Sequence, residues 1–288
     1  MIVHHLNCIS TCPLGGRLMD GHTGSLLQRG VLTCHCLLVE TNEGLVLVDT
    51  GFGLRDVANP RSRISRFFLT LVSPDLREEM TAIRQIQRLG FDPRDVRHIV
   101  LSHLDFDHAG GLDDFPHATM HLMRMERDYA FEQRTWMDRQ RFRPQQWSTS
   151  GNWRVYLADV GETWHGFERV QQLDGLPPDL LIIPLRGHTF GHVGIAVDSD
   201  RHGWLFNAAD AYFYHAEMHR QAHCTPGLRF YQWMLEKDRT ARLQNQARLR
   251  ELALSNSAVT VFCSHDVVEF ERLSQRQAHL PAQAPVRA

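Results

Sequence analysis

Short apolar runs separated by polar and glycine-rich stretches dominate the first fifty residues, and they predict strands over about 2–9, 33–40 and 44–49. A Gly-rich connection from Pro13 to Gly30 joins the first two. From Pro74 to Leu89 the pattern changes: Met80, Ile83, Ile86 and Leu89 recur three apart, which predicts an amphipathic helix with Ser73 as its cap. The apolar run Val96 to Leu101 reads as a buried strand, Ala118 to Met123 as another, and Arg124 to Arg134 as a helix. Further strands follow near 167–172, 180–185, 193–198 and 203–207, then a long helix from about Leu228 to Ser255 and a closing strand Val259–Phe262. Strands, one helix, strands, one helix and a strand suit two stacked mixed sheets with helices outside. Periodicity alone says no more than mixed α and β. Residues from about 135 to 166 break the pattern, with Trp136, Trp147, Trp153 and Trp164 set among Arg, Gln and Ser. They read as an insertion in a single domain spanning 1–288, either a surface excursion anchored by its aromatics or a cover over a substrate.

With 288 residues and 43% hydrophobic content the chain can bury a sizeable core. A net charge of -2 gives no electrostatic case for nucleic acid or an anionic membrane, so the expected partner is a small-molecule substrate, with a homodimer possible. No apolar run reaches the length of a membrane span, and the first residues lack the basic and apolar regions of a signal peptide, which favours the cytoplasm. Six Cys in a chain this long do not form a disulfide framework. Cys34 and Cys36 sit two apart in a strand and share a face, so buried thiols are a better reading than a zinc site shared with Cys8 and Cys12. Eighteen His hint at metal chemistry.

That hint sharpens directly after the strand ending at Leu101. The segment Ser102-His103-Leu104-Asp105-Phe106-Asp107-His108-Ala109-Gly110-Gly111 puts four metal-capable side chains within six residues. One turn can thereby offer two divergent pairs to two neighbouring ions, and the small residues that follow permit an irregular turn. A helix cap would need one Asp, not two His and two Asp. Imidazole and carboxylate donors suit zinc, and also iron or manganese. There is no G-x-S-x-G elbow to supply a side-chain nucleophile.

The segment resembles the H-x-H-x-D-H motif of the metallo-β-lactamase superfamily, with Asp105 where the second His usually stands. Val46-Leu47-Val48-Asp49-Thr50-Gly51 is similar to the family's early strand and Asp-Thr-Gly turn, and Gly187-His188-Thr189-Phe190-Gly191-His192 to its second metal motif. Asp210 falls where the bridging carboxylate belongs, and His265, in Ser264-His265-Asp266, matches the last ligand. Within the superfamily the motifs look most like those of the N-acyl-homoserine lactonases. The resemblance implies an α+β fold, the αββα sandwich of two mixed β-sheets with helices on the outer faces. It implies that His103, Asp105 and His188 hold one ion, that Asp107, His108 and His265 hold the other, and that Asp210 bridges them. His192 is then a supporting residue. In the lactonases a Tyr three residues past the bridging Asp holds the substrate carbonyl; here that position is Phe213, with Tyr212 and Tyr214 on either side.

Two divalent ions, most simply zinc, about 3.5–4 Å apart lower the pKa of a bridging water toward neutrality. The expected function is therefore a metal-dependent hydrolase that opens a lactone or small ester with a metal-bridging hydroxide, with Asp107, Asp210, Tyr212 and Tyr214 as candidate catalytic residues. A thioesterase of the glyoxalase II kind shares the metal set and would need cations such as Arg186 or the Arg-rich 139–154 region. A di-iron redox protein or a non-catalytic binding protein are weaker alternatives. Asp105 adds a negative charge and a hard donor to the first position, which by itself favours manganese or iron and a higher pH optimum.

Overall fold

The computed structural model describes residues 1–148 and 151–278. Two six-stranded sheets face one another. The first runs in sequential order β1 (Ile2–Asn7), β2 (His35–Thr41), β3 (Gly44–Val48), β4 (Val96–Val100), β5 (Thr119–Met123) and β6 (Trp153–Tyr156). Its first two pairings are antiparallel and the rest parallel. The second holds β7 (Glu162–Trp164), β8 (Phe167–Gln172), β9 (Leu180–Pro184), β10 (Val193–Ser199), β11 (Gly203–Asn207) and β12 (Val259–Phe262), antiparallel except where β11 meets β12. This is the αββα sandwich expected from the sequence.

Alternation along the strands explains the layering, because successive side chains point to opposite faces. Leu37, Val39, Val46 and Val48 join Ile182, Ile195, Val197 and Phe262 between the sheets. Their neighbours Cys36, Leu38 and Leu47 face outward onto Ala82 and Ile86 of the helix Ala82–Arg88. On the far side, Ile183, Ala196, Phe206 and Val261 pack against Leu249 and Leu252 of the helix Arg239–Ser255. Strands covered on both faces read as continuous apolar runs, which is why they stood out in the sequence.

Three predicted elements differ. The helix foreseen over Pro74–Leu89 is shorter: Glu78–Met80 form a 3-10 turn and the helix itself covers Ala82–Arg88. Ser73 takes a positive φ of 40° instead of capping, and Asp75 N donates to Ser10 O, which ties this stretch to the N-terminal loop. The long helix from Leu228 breaks into Pro226–Leu235 and Arg239–Ser255, the second capped by Asp238, whose carboxylate accepts from Ala241 N at 2.9 Å. Lys237 N and Asp238 N both donate to the carbonyl of Gly187, so the break grips the loop that carries His188. Gly187 sits at φ 142°, and a Cβ there would lie 2.5 Å from Arg242 N. The segment 135–166 contributes the helix Trp136–Arg141 and an edge strand to each sheet, with Trp147 buried in the first core cluster; residues 149 and 150 lie outside the described residues. Among the described residues no helix is long and apolar enough to cross a membrane.

Candidate metal centre

The loops at one edge of the sandwich converge. Those after β4, β11 and β12 and the turn between β9 and β10 meet there and are stitched by backbone bonds: Val193 N to Ser102 O, Ala208 N to Phe262 O, Ser264 N to Ala209 O and Thr33 N to His265 O. Two groups of donors gather on them. One is His103, Asp105, His188 and Asp210; the other is Asp107, His108 and His265. All are buried, and Asp107 at 7% is the most exposed.

Asp210 lies between the groups. Its Oδ1 is 3.2 Å from His108 Nε2 and 3.2 Å from His265 Nε2, and its Oδ2 is 3.3 Å from His188 Nε2 and 3.8 Å from His103 Nε2. Asp105 Oδ2 is 3.3 Å from His103 Nε2 and 3.0 Å from His188 Nε2. A tetrahedron with metal–ligand bonds of about 2.0–2.1 Å has edges near 3.3 Å, so most of these spacings are those of a zinc-sized site.

Hydrogen bonds from behind fix most of the imidazoles with Nε2 facing the centre. His108 Nδ1 donates to Asp49 Oδ2 (2.8 Å), His265 Nδ1 to Thr33 O (2.7 Å), and His103 Nδ1 to Ser102 Oγ (2.9 Å), which itself donates to Asp49 Oδ2 at 2.6 Å. That pattern leaves each Nε2 with a free lone pair, the form that binds a metal. His103 Nε2, His108 Nε2 and Asp210 Oδ1 are buried and have no hydrogen-bond partner. Buried polar atoms are normally satisfied, so three orphans pointing at one place fit bound cations. His192 differs: its Nδ1 donates to Leu185 O (3.0 Å) and its Nε2 accepts from Asp210 N (3.0 Å), which occupies both nitrogens and makes it a brace for Asp210.

The electrostatics agree. Burial alone would lower His108 and raise Asp210, but each is reversed by the other and by its neighbours. Asp210 and Asp49 hold the His108 imidazole well above its usual range, while His265, His108 and His188 hold Asp210 well below. Burial raises Asp107 despite His108 and His265. Three carboxylates crowd a buried volume in which, among the described residues, Arg141 is the only guanidinium partner, an imbalance that divalent cations would relieve.

The Tyr side chains on either side of Phe213 are not brought to this centre. Tyr212 is fully buried, and its hydroxyl donates to Glu269 at 2.9 Å beneath the second sheet. Tyr214 turns the other way, against His215 and His223. Phe213 presents its ring, 5.0 Å from His265 and 5.8 Å from His188. The phenol near the donors is Tyr231, half-buried on Pro226–Leu235, 5.7 Å ring to ring from Phe213; burial and then Asp107, Asp105 and Asp210 push its pKa up. Of the cations considered for a thioesterase of the glyoxalase II kind, Arg141 is buried against Asp105, and Arg186 is exposed and pairs with Asp238 at 3.6 Å.

Sequence reasoning gave four residues no part in the metal centre. Asp49 was visible in its Asp-Thr-Gly turn but given no task. Glu126, fully buried, accepts from Leu104 N (3.0 Å), Thr189 Oγ1 (2.5 Å) and Gly191 N (3.2 Å), and so clamps both histidine loops. Arg141 and Tyr231 reach the site from helices whose sequences carry no motif.

The chain belongs to the metallo-β-lactamase superfamily, whose sequence profile matches residues 29–265. It is similar to a probable metallo-hydrolase of Mycobacterium tuberculosis, 37% identical over 266 residues that cover 92% of this chain and 80% of that one. An N-acyl homoserine lactonase of a Bacillus species is 27% identical over 257 residues, 88% of this chain and 90% of that one. Among solved structures, an N-acyl homoserine lactone hydrolase with the product N-hexanoyl-L-homoserine at its catalytic metal centre shares the fold, with a TM-score of 0.69 at 21% identity over 94% of this chain and 97% of that one. A dizinc quorum-quenching lactonase shares it at a TM-score of 0.58 and 17% identity, over 92% and 87% of the two chains.

Proposed function

We propose that the protein is a metal-dependent hydrolase that holds two divalent ions, zinc in the first instance, and opens a lactone or small ester. The observation that carries this is Asp210, whose two oxygens face two separate sets of donors. His103, Asp105 and His188 would hold the first ion, and Asp107, His108 and His265 the second, with Asp210 common to both. Bound there, the ions would supply Lewis acidity and an activated water near neutral pH. The chain's own residues do the positioning. Asp49 and Thr33 keep His108 and His265 in the donor tautomer, His192 orients the Asp210 backbone, and Phe213 forms an apolar wall beside His188 and His265. Tyr231 takes the part of the missing tyrosine after Asp210, with a phenol kept protonated beside three carboxylates and able to donate to a substrate carbonyl. The 37% identity to a probable metallo-hydrolase and the 27% identity to an N-acyl homoserine lactonase support the same reading.

The test is a panel of acyl homoserine lactones, simple esters, thioesters and phosphodiesters presented to zinc-loaded protein. Lactones are expected to give the highest kcat/KM, and Asp210→Ala or His265→Ala to abolish turnover and lose metal. Faster cleavage of a thioester or phosphodiester would overturn the substrate assignment, and full activity in either variant would overturn the site.

A further inference from the structure

Arg141 is the most completely buried cation among the described residues, at 0% exposure, and it lies against Asp105 and His188 of the first donor group. Its Nε donates to Asp105 Oδ1 at 2.6 Å and its Nη2 to Asp105 Oδ2 at 2.5 Å, a two-pronged fork, while Nη1 donates to the carbonyl of Leu235 at 2.6 Å. The remaining Nη2 hydrogen reaches His188 Nε2, 2.8 Å away. His188 is also unlike the other three donor imidazoles from behind, since its Nδ1 is buried with no partner. With nothing fixing its tautomer, the orientation of this ring is set at Nε2.

An imidazole nitrogen has one lone pair. His188 Nε2 can give it to an ion or accept the Arg141 N–H, not both at once. The same holds in part for Asp105, whose carboxylate is already engaged along both oxygens by a guanidinium. Resting on the two-ion reading above, we propose that Arg141 is a resident cation of the first position, competing with a divalent ion for His188 and Asp105. The first ion then binds more weakly than the second, and its departure leaves no unpaired charge, because Arg141 already neutralises Asp105. Among the described residues the second set is paired with no Lys or Arg side chain, and it binds the tight ion.

Equilibrium dialysis against zinc at buffered free concentrations tests this on the full-length protein. Wild type should bind two ions whose affinities differ by at least about tenfold, as expected for a fixed positive charge beside one of them. His188→Ala should remove the weaker ion and His265→Ala the tighter one. Arg141→Met should tighten the first ion by at least about tenfold, and chelation should lower its melting temperature by more than it lowers that of wild type, which loses only the second ion's contribution. A residue that merely shaped the site would move the first affinity the other way. Two ions of equal affinity in wild type overturn the proposal without recourse to any variant, and so does an unchanged or weakened first ion in Arg141→Met. No stoichiometric zinc at all in wild type overturns the two-ion reading itself.

Discussion

Replacing Asp49 with Asn probes the half of the centre that never touches an ion. Asp49 stands in the left-handed region, with φ 53°, which Asn adopts as readily as Asp, so the exchange leaves the backbone unstrained. The side chain now accepts from Ser102 N at 2.8 Å through Oδ1, and from Ser102 Oγ at 2.6 Å and His108 Nδ1 at 2.8 Å through Oδ2. Asn retains one acceptor. If its oxygen keeps Ser102 N, its amide N–H faces the His108 Nδ1–H, donor against donor. Moving that proton to Nε2 relieves the clash but occupies the lone pair an ion needs. Loss of such an outer partner typically costs about 10–100-fold in metal affinity, or about 1.4–2.7 kcal/mol. Losing the charged hydrogen bond also costs about 1.5–3 kcal/mol of folding stability. Zinc competition against a chromophoric chelator should show the second-ion affinity falling by that factor in Asp49→Asn, with the first ion little changed. A variant that is less stable but binds both ions as wild type does would refute the tautomer argument and reduce Asp49 to a brace for the Ser102 loop.

Three further outcomes follow from the same geometry. Tyr231→Phe should lower kcat about tenfold or more with KM nearly unchanged, whereas Tyr212→Phe should leave kcat alone; steady-state kinetics on the best lactone decides between them. Burial, with Asp266 beside it, pushes Glu269 from 4.5 up to about 7, so the folded state binds more protons than the unfolded one between those values and stability declines as pH rises through them. Glu269→Gln should remove up to about 3 kcal/mol of that slope, and identical pH–stability curves for variant and wild type would count against it. Trp147→Ala, emptying a site in the first core cluster, should cost about 3–5 kcal/mol in denaturant unfolding while KM stays close to wild type; a changed KM with unchanged stability would favour a substrate-covering role.

Legibility followed burial. The strands were readable because both of their faces are covered, so Leu37 to Val39 or Val46 to Val48 form unbroken apolar runs. The donor residues were readable because a metal restricts residue type at fixed spacing, and all seven do gather in two adjoining groups. What escaped was decided by tertiary contacts. No local signal announces the break at Glu236 to Asp238, since its cause is the carbonyl of Gly187, some fifty residues earlier in the chain. Nor can spacing show that Tyr212 turns inward to Glu269 while Tyr231, on another helix, faces the carboxylates. The helix Val267–Ala278 went unseen because only its Asp266 end is tied to the motifs.

The departure at Asp105 that the resemblance implies changes meaning once Arg141 is placed opposite it. Read alone, a carboxylate for an imidazole adds a negative charge to the first position, and with it a preference for harder metals and a higher pH optimum. With the guanidinium on both of its oxygens, burial notwithstanding, Asp105 is held well below the usual carboxylate range and the pair as a unit carries no net charge, as a neutral His would. The charge argument for manganese or iron therefore cancels, leaving only the hardness of the donor atom. What the pair adds is directional: an N–H aimed at His188 Nε2, which burial and Arg141 together depress to about 4. Asp105→His without a change at Arg141 would strand that guanidinium in a buried, cation-binding site. The substitution that would give the donor set implied by the resemblance is thus the double one, Asp105→His with Arg141→Met, which should bind two ions of similar affinity, whereas Asp105→His alone should not.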